Sequence, residues 1–199
     1  MAPTDGRVFA VGDLHGDLRN ALRILNMLQL ADLEGTWTGG TATLIQTGDI
    51  VDRGPFSREI LNLFRRLGDE AAAAGGRVVN LLGNHELMNF RGDMKYVNIA
   101  EVIRYGGMNE RRIAFGPEGR YGYVRRHPTV LLQNSTLFVH AGLHPNFAKL
   151  GPEGVNELVH EQIEGGNWEH PVLHPFGEGP LWGRGVIVEA MLTGKCGLV

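Results

Sequence analysis

A single cysteine, Cys196, leaves this chain without an intramolecular disulfide or a thiolate zinc site. Other common catalytic devices are missing too. The only serines are Ser57 and Ser135, and neither lies in a Gly-x-Ser-x-Gly elbow. Cys196 stands too near the last residue to open a catalytic cysteine loop. Gly194-Lys195 lacks the upstream glycine and the following Ser or Thr of a P-loop. Basic charge is not concentrated either: 19 Lys and Arg against 22 Asp and Glu give a net charge of −3 and a pI near 6.2. No nucleic-acid partner and no anionic membrane surface are expected from such a field. The short pairs Arg65-Arg66, Arg111-Arg112 and Arg125-Arg126 read as solvated faces. No apolar run approaches the length of a membrane span. Because little precedes the first apolar run, no leader is expected, and the expectation is a soluble cytoplasmic protein in a reducing compartment.

What the chain does have is glycine, 29 in 199 residues, roughly twice average usage. Many turns are implied, along with places where backbone must approach a ligand closely. Arg7–Gly12 is a short apolar run that ends in Gly-Asp and reads as a buried strand. Asp17 is placed to cap a helix whose inner stripe is Leu18, Ala21, Leu22, Leu25 and Leu28. Thr41–Thr47 is a second strand ending in Gly-Asp, and Ser57–Ala74 a helix with Ile60, Leu61, Phe64 and Leu67 inward, stopped by Gly75-Gly76. Arg77–Leu82 is a third strand ending in Gly-Asn-His-Glu. Strand, helix, strand, helix, strand predicts an α/β domain with a parallel sheet. Residues 89–126 lack a clear strand and read as short helices and loops, a cap-like insertion within one domain over 7–199. Val130–Gln133 and Thr136–His140 pair around the turn Asn134-Ser135, Gly154–Ile163 is a short helix, and Gly165–Gly185 is rich in loops.

Three predicted strands therefore end in three polar motifs: Gly-Asp-Leu-His-Gly (12–16), Gly-Asp-Ile-Val-Asp-Arg-Gly (48–54) and Gly-Asn-His-Glu (83–86). Ligands of open α/β sheets gather at the carboxyl ends of strands. Asp13 and His15 leave an extended segment on the same face. Asp49 and Asn84 enter from the neighbouring strands, and His140, at the end of a later strand, is a natural fifth donor. Mixed oxygen and nitrogen donors suit first-row divalent ions better than calcium or thiolate-loving metals. A lone Gly-Asp is an ordinary turn and a lone His an ordinary core residue. One four-residue pattern arises by chance about once in 10⁵ windows, so three in order, each closing a strand, point to a site.

With these motifs the chain resembles the calcineurin-like metallophosphoesterases, in the phosphoprotein phosphatase branch. Gly83–Val97 and Gly179–Gly185 are most similar to the Shewanella-like protein phosphatases. The resemblance implies a two-sheet α/β sandwich flanked by helices and two divalent ions (Mn, Fe or Zn). The first ion would be held by Asp13, His15 and Asp49, the second by Asp49, Asn84 and His140. It implies hydrolysis of phosphate monoesters, of phosphoproteins or small substrates, by attack of a metal-bridging hydroxide. Arg53 would clamp phosphate oxygens, with Arg184 a second clamp by looser likeness, and His85, oriented by Asp52, would protonate the leaving oxygen. A nucleotide polyphosphate hydrolase is the alternative within the same chemistry. Members of the family carry one more metal histidine, in a Gly-His-Thr-like motif beyond a Trp-Gly-Arg-Gly segment. Here the resemblance fades after Gly185. The expectation is thus a chain truncated before that histidine, with an incomplete second sheet and either weakened turnover or only the binding of metal or phosphoprotein.

Overall fold

Three four-residue strands, β1 (Val8–Val11), β2 (Thr43–Gln46) and β3 (Arg77–Asn80), form a parallel sheet in the order β1-β2-β3. The computed structural model describes residues 6–194, so Cys196 lies outside the described residues. Val8 is in register with Thr43, and Thr43 with Arg77. Leu44, Ile45 and Gln46 are all fully buried, the mark of a strand covered on both faces. The strands stop a residue or two short of their predicted limits, at the carboxyl end where each turns into a polar loop and, in β1 and β2, at the amino end as well.

This sheet belongs to the first of two compact units, which takes in residues up to Asn80 and Met94–Arg111. Its α1 (Leu18–Met27) is capped by Asp17, whose carboxylate accepts the Asn20 amide at 3.1 Å. Of the predicted stripe, Ala21 and Leu25 are buried and the three leucines beside them partly so. α2 (Ser57–Ala73) buries Ile60, Leu61, Phe64 and Leu67 as its periodicity requires. The same unit holds α4 (Ile99–Tyr105), capped by Asn98 and ended by Gly106 in a left-handed conformation. It also contains the first residues of α5 (Met108–Ala114).

The second unit comprises Leu81–Asp93 and the chain from Arg112 onward. α3 (Asn84–Phe90) opens it, and a 3-10 turn spans Gly122–Arg126. β4 (Val130–Gln133) and β5 (Thr136–Val139) form a small antiparallel second sheet, Val130 opposite Val139, turning at Asn134 with φ 55°. α6 (Pro145–Ala148), α7 (Gly151–Glu164) and α8 (Gly185–Thr193) follow. The core here is Phe115 stacked on Tyr121 at 5.4 Å, with Val130, Val155, Val159, Ile163 and Leu181.

Two of the arginines read as solvated are buried. Arg125 lies 4.8 Å over the Phe90 ring and donates to the carbonyls of Phe115 and Ile163. Burial lowers its pKa, against the opposing charge of Glu164. Arg111 is fully buried in the first unit. In both cases hydrogen bonds to fixed oxygens offset the desolvation that a pattern of neighbouring charges had suggested would keep them in water. Among the described residues, no helix is long and apolar enough to cross a membrane.

Candidate metal centre

In the first unit, the loops after β1 and β2 are laced together by backbone. The amides of Leu14 and His15 both donate to the Asp49 carbonyl, at 3.0 and 2.9 Å, and Gly16 donates to Ile50 at 2.9 Å. The Gly54 amide returns to the His15 carbonyl at 2.8 Å. Gly16 and Gly54 touch so closely that a Cβ on Gly54 would lie 2.5 Å from the His15 oxygen. No side chain fits there.

The lacing holds backbone that L-residues avoid. His15 (φ 42°), Asp49 (59°), Asp52 (70°) and Arg53 (61°) are all left-handed, and each is a residue singled out by its motif. Such conformations cost about 1–2 kcal/mol for an ordinary residue, less for Asp and Asn. Strain gathered on predicted site residues is a pointer to function. Gln46, which the sequence reading passed over, braces the entry to the turn. Its side-chain amide donates to the Gly48 carbonyl at 2.6 Å and accepts the Gly48 amide at 3.0 Å.

Asp13, His15 and Asp49 come together. The His15 ring donates Nδ1–H to the Val51 carbonyl at 2.9 Å, so the neutral ring presents Nε2 as an acceptor. That nitrogen lies 3.6 Å from Asp13 Oδ2 and 3.5 Å from Asp49 Oδ2. Three acceptor atoms facing one another suit a shared cation, and the carbonyl behind Nδ1 is the support that metal-binding histidines ordinarily have. The donor set fits a divalent metal.

Next to it, the Arg53 side chain is exposed while its backbone is pinned: the amide donates to the Tyr96 carbonyl at 2.8 Å, and the Asn98 side chain donates to the Arg53 carbonyl at 2.8 Å. An open depression of about 440 Å³ is lined by Leu14, His15, Arg53 and Phe56. Asp52, by contrast, is fully buried. Its Oδ1 accepts from Arg111 at 3.3 Å, and its amide donates to Ser57 Oγ at 3.1 Å. Nothing in the sequence marks Arg111, Glu101 and Asn98 as the residues that reach the Asp52-Arg53 turn and the start of α2.

The remaining predicted residues lie in the second unit. Asn84 is the first residue of α3, whose start is fixed by Glu86 accepting the Gly83 amide at 2.8 Å. Asn84 Oδ1 and His140 Nε2 meet at 2.9 Å, joining two donors far apart in sequence. His85 is buried, and its carbonyl accepts from Asn89 at 2.8 Å. After His140 the chain presses on the Gly179–Gly183 turn. Ala141 donates to the Pro180 carbonyl at 3.0 Å, and a Cβ on Gly142 would come within 2.9 Å of the Gly183 oxygen. Arg184, exposed, follows that turn at the start of α8.

Residues 6–192 match the family described as calcineurin-like phosphoesterase. The chain belongs to that family. The calcineurin-like phosphoesterases use a dinuclear divalent-metal centre, for which this chain carries candidate ligands. An uncharacterised protein of Schizosaccharomyces pombe is 40% identical over 192 residues, covering 90% of this chain and 58% of the yeast protein. Shewanella-like protein phosphatase 1 of Plasmodium berghei is 34% identical over 164 residues, covering 80% of this chain and 45% of its own. A symmetrical bis(5'-nucleosyl)-tetraphosphatase of Aromatoleum aromaticum is 28% identical over 193 residues, covering 92% and 65%. Among solved structures, the cold-active protein-tyrosine phosphatase of a psychrophilic Shewanella species superposes with a TM-score of 0.80 at 27% identity, over 98% of this chain and 65% of that one. The chain spans between 45% and 58% of the first two of these curated relatives.

Proposed function

We propose that this protein is a metal-dependent phosphatase that hydrolyses phosphate monoesters of phosphoproteins. One observation carries the reading: the strained, mutually braced loops that aim His15 Nε2 and the Asp13 and Asp49 carboxylates at one another beside an exposed arginine. Asp13, His15 and Asp49 would hold one ion, and Asp49, Asn84 and His140 the other. When bound, such a pair supplies Lewis-acid activation of water and neutralises charge on the phosphoryl oxygens.

The residues do the rest. Arg53 grips two phosphate oxygens with a planar, permanently charged fork, and its pinned backbone limits what it must lose on binding. Arg184 is a second candidate grip. As the water oxygen bonds to phosphorus and the ester P–O bond breaks, His85 passes a proton to the leaving oxygen, giving the free alcohol or phenol and inorganic phosphate. A positioned acid is worth about 10²–10⁴ in rate. Asp52 orients the His85 ring.

The phosphoprotein substrate draws support from the Shewanella-like relatives and from the shape beside Arg53. The depression is open, and Tyr96 and Ile99, at 41% and 71% exposure, offer a polypeptide apolar surface. The test is a substrate panel with added Mn²⁺: a phosphotyrosine peptide, a phosphoserine peptide and a bis(5'-nucleosyl) tetraphosphate. Preference for either peptide is expected. Faster cleavage of the dinucleotide would move the protein to the nucleotide polyphosphate reading.

A further inference from the structure

We propose that Arg111 is a positioning residue for catalysis, holding the Asp52 carboxylate in the orientation from which it aligns the proton donor. The inference rests on the reading above, in which Asp52 orients His85.

Arg111 has no solvent exposure, and its Nη2 reaches two carboxylates. Nη2 lies 3.3 Å from Asp52 Oδ1 and 3.0 Å from Glu101 Oε2, with Nε 3.3 Å from the same Glu101 oxygen. Nη1 reaches Met94 Sδ at 3.5 Å, and the guanidinium lies 5.7 Å over the Tyr105 ring. Glu101 carries the chain of bonds onward, since its Oε1 accepts the Arg58 amide at 3.2 Å. The neighbouring Ser57 accepts the Asp52 amide at 3.1 Å. Asp52 is therefore gripped at carboxylate and amide by one closed circuit through Arg111, Glu101 and the first turn of α2. The same segment, 94–111, supplies the Tyr96 carbonyl and the Asn98 side chain that pin Arg53. One stretch of chain thus braces both members of the left-handed Asp52-Arg53 turn.

Stability alone is a poor reason for such a group. A buried ion pair is often no more stabilising than apolar side chains of the same volume, while its directional bonds fix an orientation that apolar packing leaves loose. The guanidinium holds its donors in one fixed plane, Nε and Nη2 together on Glu101 while Nη2 also reaches Asp52, whereas an ammonium carries the charge without that fixed geometry.

Arg111→Lys keeps the buried cation and removes the fork. Its kcat/KM is measured on p-nitrophenyl phosphate, whose leaving group needs little protonation, and on an alkyl phosphate, whose leaving group needs it fully. Melting temperature and metal content are read on the same samples. The expected loss is at least about tenfold greater on the alkyl phosphate, a part of what a general acid supplies. Asp52→Asn should show the same selectivity, and the double variant should be no worse than Asp52→Asn alone. Should Arg111→Lys fail to fold, Arg111→Met with Glu101→Met removes cation and anion together and is measured the same way. Equal losses on both substrates, or a double variant whose loss is the product of the single ones, would overturn the role of Arg111. If Asp52→Asn were itself unselective, the assignment of Asp52 as the orienting group would fall, and the role of Arg111 with it. A selective Asp52→Asn beside an unselective Arg111→Lys would sink only the latter.

Discussion

His127 follows the 3-10 turn, its carbonyl accepting from His160 Nε2 at 2.8 Å and its ring edge-on to Tyr123 at 5.8 Å. Burial, reinforced by the neighbouring His160, pushes its pKa down to about 4. An unfolded histidine titrates near 6.5. Between those values the unfolded chain holds a proton that the folded chain does not, so stability rises with pH and is lost as pH falls from about 6.5 to about 4. The full shift corresponds to roughly 3 kcal/mol, an upper bound because the residue keeps some solvent contact. His127→Gln should flatten the pH dependence of the urea midpoint across that window while leaving the neutral-pH midpoint within about 1 kcal/mol of wild type. An unchanged acid limb would assign the acid sensitivity elsewhere. At this scale the sequence was informative where chemistry is written in a short motif. Asp13, His15 and Asp49 are named by their loops, and both carboxylates lie within 3.6 Å of the His15 ring. It was misleading on Arg111, read as solvated, and silent on Gln46, because burial of a polar side chain depends on partners supplied by distant segments.

Elements were legible wherever periodicity and a cap coincided, as in α1 behind Asp17 and α2 with its inward Ile60, Leu61, Phe64 and Leu67. They were less so where a helix lacks an inward stripe. Nothing in Gly185–Thr193 announces α8, and none of its residues is buried. α7 begins three residues before the expected Gly154, since Pro152 is accepted in a first turn. Beside the apolar contacts of the core, one polar side chain ties α7 to the small sheet. Asn156 Oδ1 accepts the amides of Thr129 at 2.7 Å and Val130 at 3.0 Å, and its Nδ2 donates to the Val130 carbonyl at 2.9 Å. It acts as a substitute strand beside β4, satisfying the Thr129 and Val130 amides and the Val130 carbonyl. At about 0.5–1.5 kcal/mol per bond, Asn156→Ala should cost roughly 2–4 kcal/mol. Hydrogen exchange should show loss of protection at the Thr129 and Val130 amides above that of the rest of the unit. A melting temperature within error of wild type would mean that water replaces the side chain at no cost.

For the molecule as a whole, the proposal is a dinuclear centre of the kind the calcineurin-like phosphoesterases use, with Asp13, His15, Asp49, Asn84 and His140 as its candidate ligands. The parallel three-stranded sheet and the small antiparallel one agree with the α/β class read from the strand order. Asp49 is the residue on which the proposal converges, being assigned to both ions. Asn tolerates the left-handed backbone that Asp49 adopts at φ 59°, so Asp49→Asn removes the charge while keeping the turn. Loss of a supporting partner alone costs metal sites roughly 10–100-fold in affinity, and loss of a bridging ligand should cost at least that at each ion. The deciding measurement is elemental analysis of wild type and Asp49→Asn equilibrated at micromolar free Mn²⁺, with p-nitrophenyl phosphate turnover on the same samples. Two ions per wild-type chain, with metal and turnover both lost in a variant that melts as wild type does, is the predicted result. Unchanged metal content and turnover in Asp49→Asn would contradict the assignment of this site.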